Sequence, residues 1–262
     1  MKKRHGFFFT RCVPRINSLV LAISATSAAV AAFGDDTPER DGWITLFNGE
    51  NLDGWRVSEA AAQSWSVVDG VIDCDPRSTV SGERDIWSKD AFGDFILYVE
   101  WRLTDTPTVE TRPLIAPDGG HVKDEAGNVV TETFPNADSG IYLRGMSKAQ
   151  VNIWNWPIGS GEVWGYRTDD NMPAEVRADV TPRIRADKEP GEWNTFVITM
   201  VGDRLSVLLN GQMVINYAQL PGVAKEGPIG LQYHGGFNHE TDEYAPASSL
   251  VQFRNLFLKA LD

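Results

Sequence analysis

The side chains whose types could do chemistry are concentrated between positions 136 and 156. Carboxylate, amide, guanidinium and aromatic groups recur there at alternate positions: Asp138, Tyr142, Arg144, Gln150, Asn152 and Trp154. Amides and guanidinium groups hydrogen-bond hydroxyl groups, and an aromatic ring with a polar tip can also stack on the apolar face of a pyranose. We therefore interpret these side chains as the wall of a sugar-binding groove, with an ordinary exposed sheet face as the alternative.

Two predicted β-strands position this set. Apolar residues alternate with the polar ones in both halves of the stretch, as Ile141 and Leu143 and then as Val151 and Ile153. A period of two predicts a strand with one apolar and one polar face. We therefore expect two strands whose polar side chains point to one side of a sheet.

The segment from Asp94 to Leu103 is the most regular strand of the sequence and carries a carboxylate on its polar face. Glu100 shares that face with Tyr98 and Arg102. A carboxylate on a central strand with apolar neighbours needs a partner. The sequence leaves three kinds of partner open: an arginine (Arg102 or Arg144), a metal ion or a substrate.

A further polar face is predicted at 229–236, where Gln232 and His234 alternate with apolar residues. The following Gly235-Gly236 would allow a ligand to approach the backbone closely. A structural role for a single histidine at a strand end stays open as the alternative. We expect these predicted strands to turn four side chains toward one hollow, namely Glu100, Arg144, Gln150 and His234.

Several common chemistries leave no signature in the sequence. It lacks a Gly-x-Ser-x-Gly elbow, a Walker-type loop, a dinucleotide-binding glycine motif and a paired-cysteine zinc spacing. His239 and Glu240 follow His234 at a spacing that matches no strong metal-ligand motif, so we interpret 240–243 as a solvated loop. The strand around Glu100 carries one acid instead of a close pair, so ordinary double-carboxylate hydrolysis is not expected.

The composition of the N-terminal residues differs from that of the rest of the chain. Residues 1–15 are rich in Lys, Arg and Phe, and 19–32 form an apolar run of small residues with Ala-x-Ala-like sites. This pattern is typical of a secretory signal peptide, which we assign to 1–32, followed by a polar linker at 33–41. We expect an exported product, periplasmic or secreted and free of a membrane anchor after cleavage, with one domain at 42–260.

Charge and cysteine content restrict the partners of this product. The full chain has a formal net charge of −12, and the predicted leader contains basic residues but no acidic ones. A protein this acidic is not expected to bind nucleic acid or anionic membranes. Neutral ligands, or a cation held by carboxylates, fit better. Cys74 is the single cysteine after the leader, so no intramolecular disulfide is expected.

The remaining pattern predicts an all-β fold. Short alternating segments are separated by turn signals such as Asp69-Gly70 and Asn210-Gly211, and no long segment has helical periodicity. We expect a small projecting hairpin in the long connection 104–137, and either a short helix or irregular structure at 172–186. The predicted architecture is a single-domain two-layer β-sandwich with long loops. Predicted strands or hairpins cover 65–74, 85–88, 94–103, 193–201, 204–210, 212–217, 228–234 and 250–259.

Six short motifs occur in an order that resembles a known family. They are Leu46-Phe47-Asn48-Gly49-x-Asn51-Leu52-x-Gly54-Trp55, Trp65-x-Val67-x-Asp69-Gly70, Phe95-x-Leu97-x-Val99-Glu100-Trp101, Asp138-Ser139-Gly140-Ile141-Tyr142-Leu143-Arg144-Gly145, Gly230-Leu231-Gln232-x-His234-Gly235 and Val251-x-Phe253-Arg254-Asn255-Leu256. Together they resemble the 3-keto-disaccharide hydrolase domain family, from about Gly42 to Lys259. The resemblance implies a concanavalin-like jelly-roll sandwich that cleaves glycosides oxidised to a ketone at C3. The family motif begins Asn-Ser-Gly where this chain has Asp138-Ser139-Gly140.

The implied reaction is an elimination at C1–C2 of the sugar followed by hydration. It needs a base, a group that stabilises an enolate oxygen and an acid for the leaving group. On this resemblance Glu100 and His234 are the catalytic candidates, each as the base or as a ligand of a divalent cation of open identity. The other candidates would bind the oxidised glycoside: Asp138, Tyr142, Arg144, Gln150, Asn152, Trp154 and Gln232. Among them Trp154 and Tyr142 would form the platform on which the sugar stacks. The competing hypothesis is a non-catalytic carbohydrate-binding module of the same fold, which would need neither Glu100 nor His234.

Overall fold

Two antiparallel β-sheets account for most of the regular structure. The computed structural model describes residues 42–75, 80–106, 108–235, 237–238, 243–244 and 250–261. The predicted signal peptide, the linker, and the His239-Glu240 pair lie outside the described residues. All of the described residues fall within the compact unit Glu39–Asp262. None of the helices in this part of the chain combines the length and the apolar character that a membrane crossing requires.

The larger sheet has eight strands. They are β1 (Ile44–Thr45), β3 (Trp65–Val68), β4 (Val71–Cys74), β6 (Phe95–Leu103), β11 (Asn194–Val201), β12 (Arg204–Leu209), β13 (Gln212–Gln219) and β17 (Val251–Ala260). Their order is β13-β12-β11-β6-β17-β4-β3, and β1 also pairs with β17. The most regular predicted strand, β6, is therefore central, with β11 and β17 as its neighbours.

The smaller sheet has five strands and carries the polar stretch. They are β2 (Trp55–Arg56), β5 (Ile86–Ser88), β9 (Asp138–Leu143), β10 (Met146–Trp154) and β14 (Gly230–Leu231), in the order β10-β9-β14-β5-β2. Two hairpins stand apart, β7 (Thr108–Pro113) with β8 (Thr131–Asn136) and β15 (Phe237–Asn238) with β16 (Glu243–Tyr244). Short helices are α1 (Trp164–Arg167), α2 (Ala174–Asp179) and a 3-10 turn at Ala61–Gln63. The presence of α2 decides the open alternative at 172–186 in favour of a helix.

The apolar faces of the two sheets form one core. Phe95, Leu97 and Val99 of β6 are at most 1% exposed, and Ile141 of β9 and Ile153 of β10 are fully buried. All five belong to the same continuous apolar cluster, and burying each side chain contributes about 1.5–3 kcal/mol. The predicted all-β two-layer sandwich is confirmed, as is the assignment of apolar residues to the inner face of these strands.

Tight turns fix the register of two hairpins. The φ angles are 51° and 77° at Asp69 and Gly70, and 51° and 78° at Asn210 and Gly211. Positive φ at both central residues is the geometry of the type I′ turn, which matches the twist of the flanking strands. The hairpins predicted at these two dipeptides are therefore confirmed.

The long connection before β9 is a paired hairpin. β7 and β8 are in register from Thr108 opposite Asn136 to Pro113 opposite Thr131, and in the segment between them isolated bridges join Ile115 to His121 and Lys123 to Val129. His121 in this extension is exposed, as expected. Because β8 is followed by Ala137 and then by β9, the base of the hairpin lies beside the first residue of β9, Asp138.

Candidate active site

The candidate site lies on the outer face of the five-stranded sheet. Antiparallel pairing of β9 and β10 places Trp154 opposite Asp138, and Gln150 opposite Tyr142. β14 lies on the other side of β9, and Gln232 directly follows it. Side chains at every second position of a strand share a face. The sheet therefore collects polar groups from three strands on one surface.

A hollow of about 250 Å³ opens on this surface. Six of the nine candidate residues line it: Asp138, Gln150, Asn152, Trp154, Gln232 and His234. Four residues that were not predicted also line it: Glu110, Arg112, Trp156 and Trp164. A concave surface with aromatic walls and a few convergent polar groups is the usual form of a small-ligand site.

The titratable groups of this hollow include an aspartate–histidine pair. Nε2 of His234 lies 3.5 Å from Oδ2 of Asp138, and the two side chains are 41% and 13% exposed. Burial raises the pKa of the Asp138 carboxyl well above its ordinary value. Burial also lowers the pKa of the His234 imidazole. Both shifts favour the uncharged forms, so the pair offers a proton donor beside a proton acceptor.

The projecting hairpin contributes an ion pair to the same hollow. Nε of Arg112 lies 2.6 Å from Oε2 of Glu110, and both residues belong to β7. The Glu110 carboxylate raises the pKa of Asp138 and of His234, whereas the Arg112 guanidinium lowers both. Sequence reasoning expected the hairpin but assigned none of its side chains to the site. Their spacing of two along one hairpin strand is the signal that could have indicated them.

Two glutamines form a hydrogen-bonded floor. Nε2 of Gln150 donates to Oε1 of Gln232 at 2.5 Å and to the carbonyl oxygen of Ser139 at 3.3 Å. The Gln150 side chain lies against Gly140, where a β-carbon would overlap it. Glycine is therefore needed at this position for the close approach, and the amides are oriented before a ligand binds.

The aromatic wall is built from three tryptophans. Trp154 is only 3% exposed, because its ring is stacked on Trp156 with centroids 4.1 Å apart and planes 5° apart. Nε1 of Trp156 donates to Oδ1 of Asn136 at 3.0 Å, and Trp164 is 49% exposed. The predicted platform role of Trp154 is corrected: Trp156 and Trp164 present the accessible indoles, and Trp154 supports Trp156.

Trp164 is held by a buried ion pair beside it. Nε of Arg167 donates to Oε1 of Glu162, and these side chains are 6% and 0% exposed. Burial lowers the pKa of Arg167 to about 10. The backbone of Glu162 is joined to β10, since its carbonyl accepts the N–H of Asn152 at 2.9 Å. The ion pair therefore fixes α1, and with it Trp164, against β10 near Asn152.

Tyr142 is on the predicted face but is covered. Its ring stacks on Trp87 with centroids 5.2 Å apart, and the residue is 6% exposed. The hydroxyl is hydrogen-bonded to Gln232 and to Asp85, and burial raises its pKa. The predicted stacking role is corrected, because Tyr142 positions Gln232 and is not itself part of the wall of the hollow.

The structure separates Glu100 from the hollow. Glu100 lies on β6 in the eight-stranded sheet. Its Oε2 accepts from Nε of Arg254 at 2.6 Å, and its Oε1 accepts from the Tyr98 hydroxyl at 2.8 Å and from Nδ2 of Asn255 at 3.1 Å. The expectation that Glu100 shares a hollow with His234 is wrong. Its partner is an arginine, as one alternative held, although Arg254 takes the place of Arg102 or Arg144.

Arg144 is also outside the hollow. It directly follows β9 and has a φ of 50°, and Gly145 has a φ of 71°. These two residues form the turn into β10, so the alternation of β9 ends before Arg144. The side chain is buried and donates to the carbonyl oxygens of Gly93, Gly202 and Ala224 and to Oδ1 of Asp94. Its predicted role in substrate binding is therefore replaced by a structural one.

The residues present do not fit the predicted cation site. Glu100 and His234 lie on different sheets, and Glu100 already accepts three hydrogen bonds from side chains. Within the part of the chain that the structure describes, no three or more His, Cys, Asp or Glu side chains are grouped so that they could hold a metal ion. No step of the chemistry is therefore assigned to a cation bound by this pair.

Comparison with known proteins gives one family and a set of similar folds. A family model described as a 3-keto-alpha-glucoside-1,2-lyase-like domain matches residues 42–259. Among curated proteins none matches the chain. Two solved structures from Parabacteroides distasonis, each provisionally described as a glycosyl hydrolase, are similar. One is 17% identical with a TM-score of 0.50, covering 85% of this chain and 95% of its own. The other is 20% identical with a TM-score of 0.49, and the match covers 89% of this chain and 96% of that structure's chain. At this identity the first shows a shared fold.

Proposed function

The chain belongs to the 3-keto-α-glucoside-1,2-lyase-like domain family, and from this premise we propose that it cleaves glycosides carrying a ketone at C3 of the sugar. The observation that carries the proposal is the Asp138–His234 pair inside a hollow walled by indoles and amides. The basic and apolar pattern of residues 1–32 supports the further proposal that the protein acts in the periplasm or is secreted.

The proposed reaction is an elimination followed by hydration. A ketone at C3 acidifies the proton on C2, so a base of moderate strength can remove it. The electron pair of the C2–H bond forms the C1–C2 double bond, the C1–O bond breaks, and the leaving oxygen takes up a proton. Water then adds across the double bond, with hydroxyl at C1 and hydrogen at C2. The sum is hydrolysis by one acid and one base, without two carboxylates acting on C1.

His234 and Asp138 suit the two proton transfers. The lowered pKa of His234 keeps its imidazole neutral, which is the form that accepts the C2 proton. The raised pKa of Asp138 favours its protonated carboxyl, which is the form that donates to the leaving oxygen. The proton on C2 and the leaving oxygen on C1 are attached to adjacent ring atoms, which matches a donor and an acceptor only 3.5 Å apart.

The other side chains of the hollow bind the sugar and stabilise the enolate oxygen. Arg112 provides positive charge for the enolate oxygen, reduced by its ion pair with Glu110 and by its 49% exposure. Asn152, Gln150 and Gln232 provide amides for the sugar hydroxyls. Trp156 and Trp164 provide the surface on which the pyranose ring stacks.

Turnover of matched substrates tests the proposed function. We expect the protein to release the alcohol from a methyl 3-keto-α-glucoside and to leave the unoxidised methyl α-glucoside intact. In D2O the product should carry deuterium at C2, in excess of the exchange measured without protein, because elimination removes the C2 proton. A binding module of the same fold would bind one or both sugars and release nothing. Release without deuterium at C2 would contradict the elimination.

The pH dependence of kcat/KM should reflect the two shifted groups. His234 must be deprotonated, so activity falls as the pH drops through its lowered pKa. Asp138 must be protonated, so activity falls as the pH rises through its raised pKa. We therefore expect a bell-shaped profile for the wild type. Asp138→Asn should lower the activity and abolish the alkaline limb that belongs to Asp138. An unchanged alkaline limb in this variant would remove Asp138 from the acid role.

A further inference from the structure

A second, larger hollow lies on the same outer face of the five-stranded sheet. Its volume is about 870 Å³. Residues of β2 and β5, at the end of the sheet opposite to β10, line it together with the segment before β5. Its polar and aromatic lining includes Arg56, Glu83, Asp85, Trp87 and Lys89. The reaction proposed above uses none of these side chains.

A row of hydrogen-bonded side chains joins the two hollows. Gln150 and Gln232 of the first hollow are bonded to each other at 2.5 Å. The Tyr142 hydroxyl is bonded to Gln232 and also to Asp85 of the second hollow. Asp85 is held in turn by the backbone N–H of Tyr233 at 2.8 Å. The two hollows therefore lie on one face of the sheet and are linked by this row of hydrogen-bonded side chains.

The spacing of the strands sets the length of this surface. β10, β9, β14 and β5 are consecutive neighbours in the sheet. Neighbouring strands are about 4.8 Å apart, so β10 and β5 are separated by roughly 14 Å. A single sugar ring does not extend across that distance, whereas a chain of linked sugars lying across the strands does.

Trp87 gives the second hollow a rigid aromatic surface. One side of the indole is stacked on Tyr142, with planes 13° apart. Gly230 pairs with both residues, and a β-carbon there would lie 2.7 Å from the Trp87 ring and 3.0 Å from the Tyr142 ring. The missing side chain lets both rings lie over β14. An aromatic ring fixed in this way loses little conformational entropy when a ligand binds.

The charges around Trp87 favour a neutral ligand. Arg56 and Lys89 are accompanied by Glu83 and Asp85, so neither sign predominates among the lining side chains. An anionic or a cationic ligand would meet a like charge together with its counter-charge. A ligand rich in hydroxyl groups can hydrogen-bond to both kinds of group without a net charge of its own.

We propose that the second hollow binds the leaving-group side of the substrate, as one or more neutral pyranose units linked through the bond that is cleaved. The assignment to the leaving-group side rests on the proposed function. The binding of a neutral oligosaccharide across the two hollows does not, because it follows from their position on one sheet face, the Trp87 ring and the balanced charges.

Trp87→Ala tests this assignment with a long and a short substrate. The long one is a 3-keto-α-gluco-oligosaccharide oxidised on its non-reducing unit, and the short one is the methyl 3-keto-α-glucoside. We expect KM for the long substrate to rise about tenfold, which corresponds to about 1.4 kcal/mol, and KM for the short one to stay unchanged. Tyr217→Ala is the matched control, because Tyr217 is 57% exposed on the other sheet. Equal changes for the two substrates would overturn the proposal, as would no change for either.

A second variant and a binding measurement keep the test decisive. Arg56→Ala removes an exposed side chain of the same hollow and should raise KM for the long substrate alone, by about threefold, even if Trp87→Ala does not fold. Titration calorimetry with the unoxidised oligosaccharide separates the two proposals. If no 3-keto-glycoside is turned over but the wild type binds this oligosaccharide and Trp87→Ala does not, the second hollow stands and the proposed function fails. Equal binding by wild type and variant refutes the second hollow.

Discussion

Replacing His234 with glutamine should lower kcat/KM for a methyl 3-keto-α-glucoside by about 10²- to 10⁴-fold, the contribution typical of a positioned general base. Glutamine keeps polar atoms in place but cannot take the C2 proton. The effect should be in kcat more than in KM, because proton transfer occurs only in the transition state. Turnover is measured under saturating and under limiting substrate, and a thermal unfolding scan shows whether the variant is folded.

Two matched variants separate the chemistry of His234 from general effects. His121→Gln makes the same substitution at an exposed histidine that does not line the hollow, and it should retain wild-type turnover. Glu100→Gln removes a charge that the sequence alone assigned to catalysis. Because Glu100 lies on the other sheet with Arg254 as its partner, this variant should also keep its turnover. Equal activity of His234→Gln and His121→Gln would exclude His234 as the base.

Strands and their inner faces could be predicted because burial imposes a period of two on a strand that covers a core. Ile141 and Ile153 show this directly, since both are fully buried where the alternation places them. Turns could be predicted for the same reason, because their conformation also depends on a few consecutive residues. Asn210-Gly211 adopts the positive φ angles that these residue types tolerate. Each prediction depends on a few consecutive residues, and such predictions are confirmed.

Two residues that were predicted at the site lie elsewhere, which shows what the alternation of apolar and polar residues does not specify. Glu100 does point away from the core, but both sheets of a sandwich have an outer face, and the period of a strand does not tell which sheet it joins. The prediction for Arg144 is wrong for a different reason. The alternation of β9 ends at Leu143, and the turn at Arg144-Gly145 directs the next side chain elsewhere. A side chain in a turn cannot be assigned to a face by counting in twos.

The residues that sequence reasoning missed belong to segments placed by long-range contacts. Glu110 and Arg112 reach the hollow because the hairpin leaves the sheet beside Asp138. Trp164 reaches it because Glu162 and Arg167 fix α1 against β10. Neither placement follows from local periodicity. The sequence predicts the projecting hairpin at 104–137, so its existence was predictable and its contacts were not.

Arg144 connects parts of the chain that are far apart in sequence. Its Nη1 donates to the carbonyl oxygens of Gly202 and Ala224, its Nε donates to that of Gly93, and its Nη2 pairs with Asp94 at 2.8 Å. The Arg144 side chain is 1% exposed, and that of Asp94 is 36% exposed. The ion pair is therefore partly screened by solvent. The hydrogen bonds to the three backbone carbonyls, which are partly buried, contribute most, because a hydrogen bond to a charged group contributes about 1.5–3 kcal/mol.

Arg144→Met should therefore lower the free energy of unfolding by about 2–4 kcal/mol, because charge-assisted hydrogen bonds are lost while water still reaches Asp94 and the partly buried carbonyls. Methionine keeps an apolar stem of similar length, so the loss reports on the hydrogen bonds more than on a cavity. The measurement is the urea midpoint, and Arg183→Ala is the control, because Arg183 is 60% exposed with its nearest acidic partner at 3.8 Å and should change stability by less than about 1 kcal/mol. At a temperature where Arg144→Met stays folded, its KM for the 3-keto-glucoside should equal that of the wild type. A stable variant with a strongly raised KM would return Arg144 to the substrate site and contradict its placement in the turn.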